Sequence, residues 1–248
     1  MGFSLVSGQL SKGTASGGLT CVVVLPNDPT PGNIVTLVIG FYNIGGGGTT
    51  IATILDGNIN SYSVTTNSPS TYNSACGQVF LAYLLSAPAN ANKTITVTFV
   101  DTINSAVVWA REFAVTGGAV SFDSEAEDQT TAGVDNLVDT PTITVTGSSE
   151  LVICGLVSEN GVGSAPNSPW TGTRDDNTGW GEGYIESQSS NVALNWNGSN
   201  GDHYGSMGMS FSIVGGGGGQ SVPKKRLLLD SGLLIDSSLL VGQGLLIL

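Results

Sequence analysis

From Leu227 to Leu248 the chain repeats every six residues: Leu-Leu-Leu-Asp-Ser-Gly, Leu-Leu-Ile-Asp-Ser-Ser, Leu-Leu-Val-Gly-Gln-Gly, Leu-Leu-Ile-Leu. Each unit sets three apolar residues before three residues that favour turns. A helix needs apolar positions about 3.6 residues apart, and this segment departs from that spacing. Three strand residues followed by a corner is the logic of hexapeptide β-solenoids and intertwined β-prisms. The apolar blocks are Leu227, Leu228 and Leu229; Leu233, Leu234 and Ile235; Leu239, Leu240 and Val241; and Leu245, Leu246 and Ile247.

Such a tail is marginal alone. Thirteen of its residues, from Leu227 on, are Leu, Ile or Val. Burying them all would contribute roughly 20–40 kcal/mol. Ordering the segment at about 1.5 kcal/mol per residue offsets nearly all of that. Fewer than four repeats make little more than one turn of a three-sided solenoid, so no second layer covers the first. Copies of the same chain can supply the missing layers. The tail therefore points to a homo-oligomer, with a trimer favoured. The alternative is a tail docked along its own domain or on a partner. A membrane span needs about 20 apolar residues in a row, and no run here approaches that.

Ahead of the tail, Gly215–Gly219 is an unbroken glycine run, read as a flexible linker. Three parts follow: a body over 1–214, a Gly-rich and basic linker over 215–226, and the docking tail over 227–248. The body is rich in Gly, Ser, Thr, Asn and Val, a balance that favours strands and turns. Strand candidates recur at the spacing of an antiparallel sandwich, among them 34–42, 94–100, 106–113 and 151–157. Ile95, Val97 and Phe99 alternate with threonines, which puts them on one buried face. Val22-Val23-Val24 and Leu37-Val38-Ile39 are continuous, which suggests strands covered on both sides. The acidic segment 115–138 reads as a surface link between two halves. The expected fold is all-β: an antiparallel two-sheet β-sandwich of jelly-roll type, with a hexapeptide-repeat β tail. Two small sandwiches divided near 124–139 are the alternative.

Net charge is −12. Only Lys12, Lys93, Arg111 and Arg174 are basic before the linker, while Lys224, Lys225 and Arg226 cluster in it. An acidic body argues against nucleic-acid binding, which needs cations to displace counterions. Cys21, Cys76 and Cys154 are odd in number and match no zinc spacing, so they read as small buried hydrophobes in a reducing compartment. The N-terminal residues have no basic start and no long apolar core, so no secretory signal is expected, and folding in a cytoplasm is.

Catalytic candidates are sparse. His203 stands alone beside Asp202, without a nucleophile elbow. Glu182 and Glu186 lie four apart on a strand candidate, where alternation points both to one side, as a glycosidase would need. Trp180 and Tyr184 flank them, and Trp170, Trp180, Tyr184 and Trp196 are the candidate platform for a sugar ring; the competing reading has the Trp rings closing the core and the acids facing solvent. Asp56-Gly-Asn58-Ile-Asn60 starts like a calcium loop but lacks its glycine and distal Glu, and reads better as a β-turn. Asp123, Glu125, Glu127 and Asp128 read as a solvated acidic loop sooner than a cation site. No metal and no cofactor is expected.

Ala52-Thr-Ile-Leu-Asp-Gly-Asn58 followed by Tyr62, then Phe80-Leu-Ala-Tyr-Leu-Leu-Ser86 and Thr94-Ile-Thr-Val-Thr-Phe99, resemble β-sandwich domains of tailed-phage virion proteins and some bacterial surface proteins. Glu150-Leu-Val-Ile-Cys154 and Met207-Gly-Met-Ser-Phe-Ser-Ile213 fit the same pattern, and the tail is similar to repeats of phage structural proteins. The resemblance implies a non-enzymatic virion protein assembled in the host cytoplasm. A capsid decoration or cement protein that grips the major capsid protein comes first, and a head or tail fibre component next. It brings no catalytic residues. The other classes are a carbohydrate-binding module, with a surface glycan as partner, and a hydrolase resting on Glu182 and Glu186.

Overall fold

The computed structural model describes residues 1–43, 48–66, 68–72, 77–129, 137–139, 142–158, 165–174, 179–193, 195–197, 204–215, 227–228 and 234–235. Every regular element among them is a β-strand, and the paired strands run antiparallel. Two units are distinct, Met1–Val214 and Gly215–Leu248.

The first unit is built on a central sheet in the order β1 (Gly2–Ser16), β9 (Ser105–Thr116), β3 (Ile34–Tyr42), β7 (Gly77–Leu84) and β5 (Ser63–Val64), with β6 (Ser70–Tyr72) also on β7. The middle strand β3 shows why the sheet is central. Val35, Leu37, Ile39 and Phe41 point into one core with Ile95, Val97 and Phe99. Ile34 and Val38 point into a second core with Ile153, Trp180 and Met209. Alternate residues thus serve opposite faces, and the strand reads as a continuous apolar run because both are covered.

The first core is closed by a three-stranded sheet, β2 (Thr20–Val24), β8 (Thr94–Phe99) and β4 (Ile51–Asp56), in the order β2-β8-β4. Ile95, Val97 and Phe99 are buried as their alternation requires. Val22 and Val24 are not: at 44% and 47% exposure they lie on this sheet's outer face. The valine run matches β3 in composition, but among the described residues its sheet has a layer on one side only.

The second core is closed by a five-stranded sheet in the order β10 (Gly118–Gln129), β16 (Tyr204–Gly215), β12 (Glu150–Ser158), β14 (Trp180–Gln188) and β13 (Thr171–Arg174). A third cluster of Ile143, Val152, Cys154, Leu156, Trp170, Trp196 and Tyr204 covers its far side, so β12 is buried throughout. The body is a β-sandwich in which one sheet belongs to two interfaces. The two-sheet expectation is corrected to three stacked sheets. The halves are not separate sandwiches either, because the five-stranded sheet finds its core on strands of the first half. The surface link expected over 115–138 is largely strand β10: Val120 and Phe122 pack on the second core, and Phe122 stacks on Tyr83 at 5.2 Å. The small pair β11 (Leu137–Asp139) and β15 (Asn195–Asn197) follows the same antiparallel pattern.

Glycines let the layers approach. A Cβ on Gly40 would sit 2.8 Å from the Trp180 ring, and one on Gly155 would sit 2.7 Å from Val38 and Val79. The glycine-rich composition therefore supplies hollows in which bulky side chains of the facing layer sit.

In the second unit, β17 (Leu227–Leu228) pairs antiparallel with β18 (Leu234–Ile235), with Leu227 opposite Ile235 and Leu228 opposite Leu234. The rest of the repeat lies outside the described residues.

Candidate functional site

Strand β9 carries two charged residues in an otherwise apolar run, and both need partners when buried. Arg111 faces the five-stranded sheet, where Nε donates to Glu182 Oε2 at 2.9 Å and an Nη–H donates to Glu182 Oε1. The two side chains are 6% and 1% exposed. The guanidinium lies 4.5 Å from the centre of the Tyr184 ring. Thr173 donates to Glu182 Oε1 from both its backbone N–H and its hydroxyl. A fork-to-fork pair with these supporting donors fixes the register of two sheets. It leaves Glu182 no role as a free acid or base. Glu186 does share the inward face of β14, as alternation predicts, but its Oε1 accepts the Leu5 N–H at 2.8 Å. Both carboxylates of the glycosidase reading are fastening groups. Glu112, the other charged residue of β9, accepts from Thr30 N–H, Asn33 Nδ2 and Gln9 Nε2 at 2.6–2.8 Å.

The glycan platform is corrected in the same way. Trp170, Trp180, Tyr184 and Trp196 are 6%, 2%, 7% and 0% exposed. Trp180 and Tyr184 fill the second core, and Trp170 and Trp196 fill the third. A stacking platform must present a ring face to solvent, and none of the four does. The signal was present in Trp180-Gly-Glu-Gly-Tyr184. Side chains at 180, 182 and 184 point inward, while Gly181 and Gly183 lie beneath Trp196 and Trp170 on the other face.

The turn at Asp56 is a turn, as expected. Its carboxylate accepts the N–H groups of Asn58, Asn60 and Asn92 and the Asn60 amide, all at 2.8–3.0 Å. Burial opposes its charge, yet these donors hold its carboxyl below the usual range. Every lobe facing a donor leaves no seat for a cation. His203 lies outside the described residues. No three His, Cys, Asp or Glu side chains converge as a metal cluster among the described residues. Asp123, Glu125, Glu127 and Asp128, expected in a solvated loop, lie on strand β10, where Glu127 is exposed and the other three are half-buried.

Cys21 and Cys154 are free and buried, matching their reading as small hydrophobes. Burial pushes the Cys21 thiol up to about 11 and the Cys154 thiol well above its usual value. The thiolate is the reactive form. At pH 8 the native protein should therefore leave both unlabelled by a thiol-specific alkylating reagent, and denaturant should expose them. Peptide mass mapping checks this, and rapid native labelling of either would contradict the packing.

Among the described residues, one sheet face has no layer packed on it. Outward from β2-β8-β4 stand Thr20, Val22 and Val24, then Thr94, Thr96 and Thr98, then Thr53 and Leu55, with no charge among them. In the tail, Leu227, Leu228, Leu234 and Ile235 lie on the hairpin strands. Leu229, Leu233, Leu239, Leu240, Val241, Leu245, Leu246 and Ile247 lie outside the described residues. Against this geometry, comparison with protein-family models, with curated proteins and with solved structures finds no match.

Proposed function

We propose that the chain is a non-enzymatic structural protein of a virion, a decoration or cement protein that fastens to a capsid lattice through its C-terminal tail. The observation that carries the reading is the repeat from Leu227 to Leu248, which forms a unit separate from the sandwich and pairs its first two apolar blocks as strands. A hairpin of two-residue strands is too small to be stable alone. It gains a core only when further strands join it. Copies of this chain, as a trimer, and the major capsid protein are the partners in this reading. The jelly-roll form of the sandwich and the virion location belong to the same proposal.

The body suits a mechanical role. The buried charges of Arg111, Glu112 and Glu182 are spent on joining strands, loops and sheets, and the body stacks three sheets. The glycan-binding alternative loses its support with the burial of its four rings, and the hydrolase alternative loses Glu182 to Arg111. The test is the light-scattering mass of the full chain beside a version ending at Val214. A trimer that becomes a folded monomer on truncation is expected, with loss of co-sedimentation with capsids. An unchanged mass and unchanged co-sedimentation would overturn the assembly role of the tail.

A further inference from the structure

Glu112, Glu182 and Asp56 are buried carboxylates met by donors on both oxygens, and Glu150 is met on one. Glu150 opens β12 and is 0% exposed. Its Oε1 accepts the Thr146 N–H at 2.9 Å and the Gly147 N–H. Its Oε2 is buried and has no hydrogen-bond partner. Burial raises the Glu150 pKa first; the Gly147 and Thr146 N–H groups oppose this, and Asp123 of β10, a second carboxylate within side-chain hydrogen-bond reach, raises it further. Neither pairs with a Lys or Arg among the described residues.

The surrounding groups are oxygens. The Thr146 hydroxyl donates to Asp123 Oδ1 at 2.8 Å and lies 3.4 Å from Glu150 Oε1. The Ser210 hydroxyl of β16 lies 3.4 Å from Asp123 Oδ2, 3.2 Å from the Thr144 carbonyl and 2.9 Å from the Ser124 hydroxyl. Ser124 in turn donates to Thr144 O at 2.6 Å. Asp123 and Ser124 thus both reach one residue of β16. Their neighbours Phe122 and Glu125 both turn to the central-sheet side, toward Tyr83 and Thr66. Alternation is interrupted there as in a β-bulge, a device that re-aims side chains next to sites. Few protons serve many lone pairs, and two carboxylates share the space without a counter-charge. Asp56, saturated by N–H donors, is the opposite case.

We propose that Asp123 and Glu150, with the Thr144 carbonyl and the Ser210 hydroxyl, form a binding site for one hard divalent cation, calcium in preference to magnesium. An all-oxygen, irregular donor set with two carboxylates suits calcium, whereas magnesium demands a near-ideal octahedron. The ion supplies the charge that Oε2 lacks and ties segment 142–147 to β10 and β16, closing the outer layer over Ile143. This inference is independent of the virion reading.

The test is calorimetric titration of the chelator-treated full chain with calcium chloride in 0.15 M salt, which screens diffuse binding to the acidic surface. Expected is one saturable site per chain, a higher melting temperature with calcium, and a weaker response to magnesium. Asp123→Asn should weaken calcium by at least the roughly 10–100-fold that loss of even a supporting partner costs a metal site. Asp123 is half-buried on an edge strand, so this variant keeps the fold where Glu150→Gln need not. Absence of saturable binding in the folded wild type would overturn the site, since a shared proton then neutralises the pair. Equal calcium affinity in wild type and Asp123→Asn would overturn it too.

Discussion

Glu182→Ala is expected to cost the fold about 3–5 kcal/mol, because it leaves the Arg111 guanidinium buried and uncompensated. At about 2–4 °C per kcal/mol for a domain of this size, the melting temperature should fall by roughly 6–20 °C. The loss has two parts. Arg111 keeps the Tyr184 ring at 4.5 Å but loses both charge-assisted bonds. Thr173 loses the acceptor of its backbone N–H and its hydroxyl, at the sheet edge where β13 pairs with β14. Replacing both charges by apolar residues, Arg111→Met with Glu182→Met, removes the stranded charge as well. The double variant should recover to within about 1–2 kcal/mol of wild type, since the desolvation of a buried pair nearly cancels its attraction. Thermal denaturation followed by circular dichroism measures all three proteins. A single variant as stable as wild type would show that Glu182 is not a fastening group, and would return it to the catalytic candidates. A double variant as unstable as Glu182→Ala would show that a stranded Arg111 charge is not what costs the single variant its stability.

The sequence carried local periodicity well and the number of layers poorly. Ile95, Val97 and Phe99 alternate with threonine, and that pattern alone places them inward in any sandwich. A continuous valine run has no such content. Val22–Val24 and Leu37–Ile39 look alike, yet one strand faces solvent and the other lies between two sheets. The difference is set by strands more than a hundred residues away. β10 escaped because Asp123, Glu125 and Glu127 hide the inward pair Val120 and Phe122. Arg111 and Glu112 within β9 did announce buried charge, but the partners Glu182 and Gln9 lie 71 and 103 residues off. The Asp123–Glu150 contact had no local signature either, since β10 and β12 are separated by β16 in the sheet. The tail is the reverse case. Its repeat is plain in the sequence, and that other chains complete its core is the proposal made above.

Trp180→Ala is the second large effect, and it separates core from platform in one measurement. The ring is buried between the central and five-stranded sheets, with Gly40 directly beneath it. No neighbour is free to fill the space, because Val38, Trp109 and Tyr184 are themselves packed in the same core. Truncation of a buried Trp costs about 3–5 kcal/mol, the larger part from lost contacts and the cavity left behind. A drop of roughly 6–20 °C in melting temperature is therefore expected. Trp180→Phe should be milder, about 1–3 kcal/mol, for a specific reason. The Trp180 indole N–H is buried without an acceptor, so phenylalanine removes an unsatisfied donor while keeping most of the apolar area. If the ring served a sugar instead, Trp180→Ala would leave the melting temperature unchanged and abolish retention on glycan-coated resin. Stability is thus the deciding readout. A Trp180→Ala protein that melts with wild type would mean that the three-layer packing around Gly40 is not how this chain folds.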